Sequence, residues 1–569
     1  MKRLWKIFTR VLRSYTVEEK VISIIVFGVV VFIFAQTVAD AFKPANLLNS
    51  GNQQNQNQDN STFTEGMVSE NPVILNPLYV DFNDSSRDLS SLVFSGLSKY
   101  DPSKQAFVDD LAVLTISPDK TTYHFVLKPN IFWHDGQPVT ADDVLFTFHD
   151  IIQNPGFQNP LLKLNFSGVD IKEIDPQTVE FKLKKPNAFF ITNMNVGLLP
   201  KHILATVPID KLPTSQFNLK PVGTGPYKVD TAIELFDDGR ERITLKSFDR
   251  YYDQAPKIHQ IRFSVYPDFD TLYKDIGTIN VITKVPETNV SELQKLNRFS
   301  FINYDLPQYT AVFFNMDNAI LKKDKVRVGL LKAIDKQQLL KMFTDKTAVD
   351  TPLLELNQRD WIYKPNLSEA EGAIHDAGYI LDKTQNPPVR VDKNKKPLQF
   401  VLLARAYDEG NPLAVETQKT VDFLKSQWLQ LGITIDAQYA DNDTYLQRLQ
   451  SRDYDMVLAG QSLGYNLDTY SYWHSSQATA QGLNLSNYKT FTADQLIEKI
   501  RASFDSAEKD KDLKQLATVI ANDVPAVFLY RPTYILATDN KVHGITLKNL
   551  AFPSDRFASI ADWCVNNCQ

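Results

Sequence analysis

Residues 111–148 read LAVLTISPDKTTYHFVLKPNIFWHDGQPVTADDVLFTF, and their local reading sets the class of the fold. Tyr123 to Lys128 alternates apolar and polar residues as a half-buried strand does. Trp133-His134-Asp135-Gly136 then supplies a turn, because Asp-Gly tolerates the tight backbone that a reversal needs. Thr140-Ala141-Asp142-Asp143 opens a helix, with Thr140 as N-cap and carboxylates in the first turn facing the positive end of the helix dipole. A histidine beside a carboxylate also suggests catalysis or metal binding. Adjacent turn residues point in different directions, however, and no second histidine stands at ligand spacing, so the turn reading is preferred.

Further along, Leu413 to Leu431 has helical periodicity and stops at Gly432. Ile433 to Tyr439 reads as a strand, Asn442 to Gln450 as a helix, and Tyr454 to Ala459 as a short apolar strand bounded by Gly460. With Phe400 to Ala404 before them, these segments alternate strand and helix, which implies a sheet covered by helices. Gly223-Thr224-Gly225-Pro226-Tyr227 lacks the Lys and Ser/Thr of a phosphate loop, and Pro226 has no N–H to offer a phosphate, so it is read as a shaping turn.

The chain has 569 residues, enough for two or three folded units, with 43% hydrophobic and 22% charged residues. Its net charge of -6 offers no general attraction to nucleic acid. Val21 to Ala39 carries no charge and is long enough to cross a bilayer as a helix; Lys2, Arg3, Lys6, Arg10 and Arg13 before it favour a cytoplasmic N-terminus. A removable signal peptide is the alternative, with small residues at Ala39-Asp40-Ala41. Lys43 to Ser61 is an Asn/Gln-rich tether that cannot bury enough apolar surface to order itself. The two cysteines, Cys564 and Cys568, stand at helical spacing within disulfide reach, and no cysteine near the apolar segment offers a lipid attachment point.

The run 111–148 resembles the signature region of the peptide and nickel solute-binding proteins, solute-binding family five. Asn76-Pro77-Leu78, residues 92–101 (LVFSGLSKYD), 221–229 (PVGTGPYKV) and 248–256 (FDRYYDQAP), Phe313-Phe314-Asn315 and Tyr454-Asp455 resemble that family in the same order. The resemblance implies an α/β, two-lobed, periplasmic-binding-protein-like type II fold with an extra subdomain, here preceded by one transmembrane helix. By that analogy 64–97, 218–303 and 530–569 form the first lobe, 98–217 the subdomain and 304–529 the second lobe. Residues 1–20, 21–40 and 41–63 are then the cytoplasmic segment, anchor and linker. Hinges are expected near Tyr304 and Tyr530. The implied protein is a monomer without cofactor that holds a peptide between its lobes and hands it to an ABC permease with cytoplasmic ATPases.

Gly460-Gln461-Ser462-Leu463-Gly464 follows a strand and matches the G-x-S-x-G of serine hydrolases, with His543 downstream. The residues after it lack a helical pattern, so a hydrolase is the alternative and a binding loop is preferred. In the family the loop after this strand lines the cleft; here it runs from Gln461 to Gln477. Gln461, Ser462, Tyr465, Asn466 and Trp473 are the expected contacts, Trp473 being equally readable as core. Known peptide binders carry, by register at Gly464, an aspartate that pairs with the ligand's amino group, and a Trp where Gln461 stands. Asp468 is the substitute considered for that missing charge. Asn76, Asp84 and Tyr309 are further cleft candidates by family analogy, and Arg405 is a candidate partner for a ligand carboxylate. The eight histidines are scattered, which weighs against a metal or nickel-complex ligand. A receptor that serves without transport is a further alternative.

Overall fold

The computed structural model describes residues 62–566 except 70–71, 81–82, 355–363, 409–410 and 466–467. The expected anchor at 21–40, the linker before Thr62, Asn466 and Cys568 therefore lie outside the described residues. Contacts divide the chain after Asp59, and all the described residues belong to the unit that begins at Asn60. Among the described residues no helix is long and apolar enough to cross a membrane.

The chain enters on strand β1 (Thr62–Val68) and helix α1 (Asp84–Val93). A hairpin of β2 (Ser98–Asp101) and β3 (Ala106–Asp109) leads to a separate antiparallel sheet of β4 (Ala112–Ile116), β5 (Thr122–Leu127), β6 (Asp170–Asp175) and β7 (Thr178–Lys182), in the order β4-β5-β7-β6. Helix α2 (Ala141–Leu145) follows Thr140, whose backbone N–H is accepted by Asp143 Oδ2 at 3.1 Å. The chain then returns through β8 (Tyr227–Leu235), β9 (Glu241–Ser247), β10 (Gln260–Tyr266), β11 (Val281–Ile282) and β12 (Phe299–Asp305).

The second half opens with β13 (Gln308–Phe314) and β14 (Lys346–Ala348). It continues as β15 (Gln399–Arg405), α3 (Pro412–Gln430), β16 (Thr434–Ala440), α4 (Asn442–Ser451) and β17 (Met456–Ser462). Strand β15 pairs parallel with both β16 and β17, the arrangement that helical crossovers produce. Gly432 closes the turn after α3 with a φ of +75°, a conformation that glycine adopts without steric cost.

One sheet of 12 strands runs through both halves, in the order β16-β15-β17-β13-β18-β11-β1-β10-β9-β8 with β12 and β14 also on β18. Strand β18 (Ala526–Asp539) pairs with β13 and β14 through residues up to Pro532, and with β12 and β11 from Thr533 onward. The main chain crosses between halves at two neighbouring places, Leu306-Pro307 and the middle of β18. Asp305 ties them together, accepting from Thr533 Oγ1 at 2.7 Å and lying 3.1 Å from Arg531 Nη2.

The cores are largely separate. Phe63, Phe263 and Trp563 share one cluster with Tyr123 and Phe181 of the inserted sheet and with Phe148 of the helical segment that continues from α2. In the second half, β13 is apolar on both faces: Val312 and Phe314 join Trp428, while Tyr309, Ala311 and Phe313 join Trp473. Trp133-His134-Asp135-Gly136 and the 223–225 turn prove to be one device. His134 Nε2 lies 3.0 Å from Gly225 O, and Gly223 N donates to His134 Nδ1 at 3.2 Å. Burial pushes the imidazole down to about 4, as suits a neutral structural ring. Cys564 is disulfide-bonded, but it lies in a short strand, β20 (Cys564–Val565), paired with β19 (Val542–His543). The helical spacing expected of the two cysteines therefore does not describe Cys564.

Candidate functional site

A gap between the halves encloses about 2340 Å³ and is lined from both sides. Two features of β13 and β17 shape its second-half wall. They pair antiparallel with Gln308 opposite Ser462 and Tyr309 opposite Gln461, and side chains alternate across the sheet. Gln308 and Thr310 consequently line the gap, while Tyr309 turns inward.

Three expected contacts do not reach the gap. Tyr309 is buried against Phe528, and its hydroxyl donates to Gln461 Oε1. Burial holds that phenol well above its ordinary pKa. Trp473 is 1% exposed, packed on Phe313, Tyr488 and Phe528, so its core role is the realised one. Asn76 is fully buried; it caps a short turn by accepting from Leu78 N at 3.1 Å and donates to Asn218 Oδ1 at 3.0 Å. Its polar atoms are spent on the fold.

The others do line the gap: Asp84, Arg405, Gln461, Ser462, Gly464, Tyr465 and Asp468. Burial works to raise the Asp84 carboxyl, but the bonded Lys284 outweighs it and holds the pKa below its usual range. Arg405 ends β15 with its guanidinium 4.7 Å from the Tyr407 ring. Asp468 accepts from Tyr470 N at 3.2 Å and pairs with Arg501 Nε at 3.2 Å. Burial raises its pKa, and Arg501 opposes that rise. Gly464 has a φ of +61°, and a Cβ there would stand 3.1 Å from Phe552 Cζ, so both backbone and space favour glycine.

Ser462 is no nucleophile elbow. It is the last residue of an extended strand, and its carbonyl accepts from Tyr472 Oη at 2.6 Å. The next residue, Leu463, donates to Pro307 O at 2.7 Å instead of entering a helix. His543 belongs to the small β19-β20 pair and does not line the gap.

The contacts that draw the halves together went unrecognised in the sequence. Tyr465 projects from the second half into an aromatic cage of Tyr100, Phe107 and Phe552, with ring centroids 5.0, 5.1 and 5.0 Å away. Its hydroxyl donates to Asp555 Oδ1 at 2.8 Å. Burial pushes the Asp555 carboxyl up to about 6, against the pull of the Phe552 and Ala551 N–H groups and Tyr465. At a second bridge, Phe189 joins the core of the second half and Ala188 N donates to Arg501 O at 2.7 Å. A long polar-aromatic loop was the available signal for Tyr465; nothing local marks Asp555 or Phe189.

The profile of the bacterial extracellular solute-binding proteins, family 5 Middle, matches residues 106–482. The chain is 26% identical over 516 residues to the oligopeptide-binding protein AppA of Bacillus subtilis, covering 86% of this chain and 89% of that one. It is 25% identical over 473 residues to the dipeptide-binding protein of Escherichia coli, covering 76% and 82%. Among solved structures, NikZ from Campylobacter jejuni in complex with Ni(L-His) superposes with a TM-score of 0.74 at 23% identity, over 89% of this chain and 99% of that one. AppA of Bacillus subtilis with a nonapeptide gives 0.73 at 24% identity, over 89% and 99%. These likenesses show an α/β two-lobed binding-protein fold. Family 5 proteins bind solutes and are not enzymes, which agrees with the extended backbone at Ser462 and removes the hydrolase alternative. The chain belongs to the bacterial extracellular solute-binding proteins, family 5.

Proposed function

We propose that this protein captures peptides between its two halves and delivers them to the permease of an ABC importer. The observation that carries the reading is the gap of about 2340 Å³ walled by both halves, well beyond the roughly 300–1,000 Å³ of sites for small drug-like ligands. Relatives named for oligopeptide and dipeptide binding support the ligand class. Binding would act through closure: a ligand touching both walls favours the closed form by its differential affinity, and the permease would read that form. The lobes would be 64–97 with 218–303 and 530–569, and 304–529, with 98–217 as the subdomain. Bending would be confined to Leu306-Pro307 and the middle of β18, where few residues need change their dihedrals. Gln461, Ser462, Gly464, Tyr465, Asp84 and Arg405 would belong to the ligand's surroundings.

In the same reading, residues 21–40 hold a monomer on the outer face of the cell membrane and 41–61 give it reach; the expected linker of 41–63 is two residues too long, because Thr62 and Phe63 pair with Gln260 and Ile261 in β1. The apolar run and its basic leader support the anchor. Mass spectrometry of small molecules that co-purify with the full chain tests the ligand class. Peptides of mixed sequence are expected; a single sugar or metallophore would overturn it.

A further inference from the structure

Two consecutive phenylalanines that follow the inserted sheet serve different cores. Phe190 packs into the core of the first half, its ring centroid 4.9 Å from Tyr123, 6.0 Å from Phe166 and 6.1 Å from Phe181. Phe189 belongs instead to a cluster whose other buried members, among the described residues, all lie between Tyr309 and Phe528 in the second half. It is 8% exposed, and Lys509 Nζ stands 5.0 Å from the centre of its ring. The stem that presents Phe189 is fixed to the first half. Asn187 accepts from Tyr123 Oη at 2.9 Å through its carbonyl and from Phe189 N at 3.0 Å through Oδ1.

The receiving surface is a pair of helices, Phe491–Ala502 and Ser506–Asp523. Arg501 lies in the last turn of the first helix, where carbonyls lack a partner within the helix, and its carbonyl accepts from Ala188 N at 2.7 Å. Nearby, Lys185 Nζ stands 3.6 Å from Glu498 Oε2 and Lys120 Nζ 5.6 Å from the Phe504 ring, at exposed positions where such pairs add little. The apolar wedge and the backbone bond carry the contact.

The inserted sheet shares its core with the first half, so the two must move as one body when the halves separate. Separation therefore draws Phe189 out of the second-half cluster into water and frees the Arg501 carbonyl. Neither contact needs a ligand. Tyr465 makes the reciprocal insertion elsewhere, from the second half into the first.

Building on the closure reading above, we infer that the inserted sheet is a clasp: through Phe189 and Ala188 it holds the two halves shut whether or not a ligand lies between them. Opening for ligand exchange then requires withdrawal of Phe189.

The test is pulsed dipolar spectroscopy of the ligand-free full chain, spin-labelled through Lys182→Cys on the inserted sheet and Lys514→Cys on the receiving helix, both exposed positions. The parent is expected to show chiefly the short separation. Phe189→Ser removes the wedge and should raise the open-to-closed ratio about tenfold or more. Phe189→Leu keeps most of the apolar volume and should shift the ratio the same way by less; it serves where the serine variant does not fold. A parent that is mainly open without ligand overturns the clasp, and so does a distribution that neither variant moves. A lowered unfolding midpoint with no change in separation would make Phe189 a residue of the fold alone. Failure of a synthetic nonapeptide of Ala, Leu, Ser and Phe to bind would count against the ligand class and leave the clasp standing, since no ligand enters this measurement.

Discussion

Tyr465 Oη donates to Asp555 Oδ1 at 2.8 Å, and this bond joins a loop of the second half to the C-terminal segment of the first. Its acceptor is a buried carboxyl whose other oxygen is held by its own backbone, so the bond meets a fixed target. Tyr465→Phe removes the donor and leaves the ring in its cage. A hydrogen bond to a charged group contributes about 1.5–3 kcal/mol, so the closed form should weaken by up to that amount. Tyr465→Ala also loses the ring contacts and should weaken it further. Small-angle scattering should show a larger radius of gyration for both variants, alanine more than phenylalanine. An unchanged radius would mean that closure does not depend on this contact.

Gly223 and Gly225 are required by backbone proximity. A Cβ at Gly223 would sit 1.9 Å from Val93 O, and one at Gly225 2.4 Å from Leu92 O. No flexible side chain can yield there, so Gly223→Ala should cost about 3 kcal/mol or more, at the upper end of overpacking effects. Gly277 has nothing within 4 Å of its would-be Cβ, and Gly277→Ala should lie within about 0.5 kcal/mol of the parent. Thermal unfolding of the two variants side by side decides the matter, and equal midpoints would refute it.

Arg556 lies buried between Glu65 and Asp88, at 2.8 Å from Asp88 Oδ2 and bonded to Glu65. Burial pushes Glu65 from 4.5 up to about 7, with Arg556 opposing. A folded-state pKa above the unfolded one means that the folded form binds the proton more tightly. The stability linked to Glu65 is therefore fully present below about 4.5 and is lost as pH rises through about 7. Glu65→Gln should flatten the stability profile across that window, as measured by denaturant unfolding at a series of pH values. Arg556→Met should cost about 3–5 kcal/mol at neutral pH, because two carboxyls then lose their cation, and less in acid.

Trp473→Ala should act on the fold before it acts on any ligand. A fully buried tryptophan among Phe313, Tyr488 and Phe528 costs about 3–5 kcal/mol on truncation. Denaturant unfolding should show that loss. A variant of parental stability that fails only in ligand binding would return Trp473 to the site.

Local physics was readable from residues 111–148 and 399–462 alone. The strand, the turn and helix caps, and the alternating order of the second half all depend on neighbours a few positions apart. The strand β17 was the instructive difference: it continues through Ser462, because pairing with Gln308 on β13 supplies partners that no local pattern reveals. That same pairing assigned Tyr309 to the core and Gln308 to the gap, a choice that period-two alternation permits in either phase until the register is known.

The sequence by itself determined the kind of elements, their order and, through motifs spread from Asn76 to Asp455, the family. Only the tertiary structure decided which polar groups remain available to a ligand. Asp468 and Arg501, or Tyr465 and Asp555, meet across 33 and 90 residues of chain, and a charge is neutralised by what lies beside it in space.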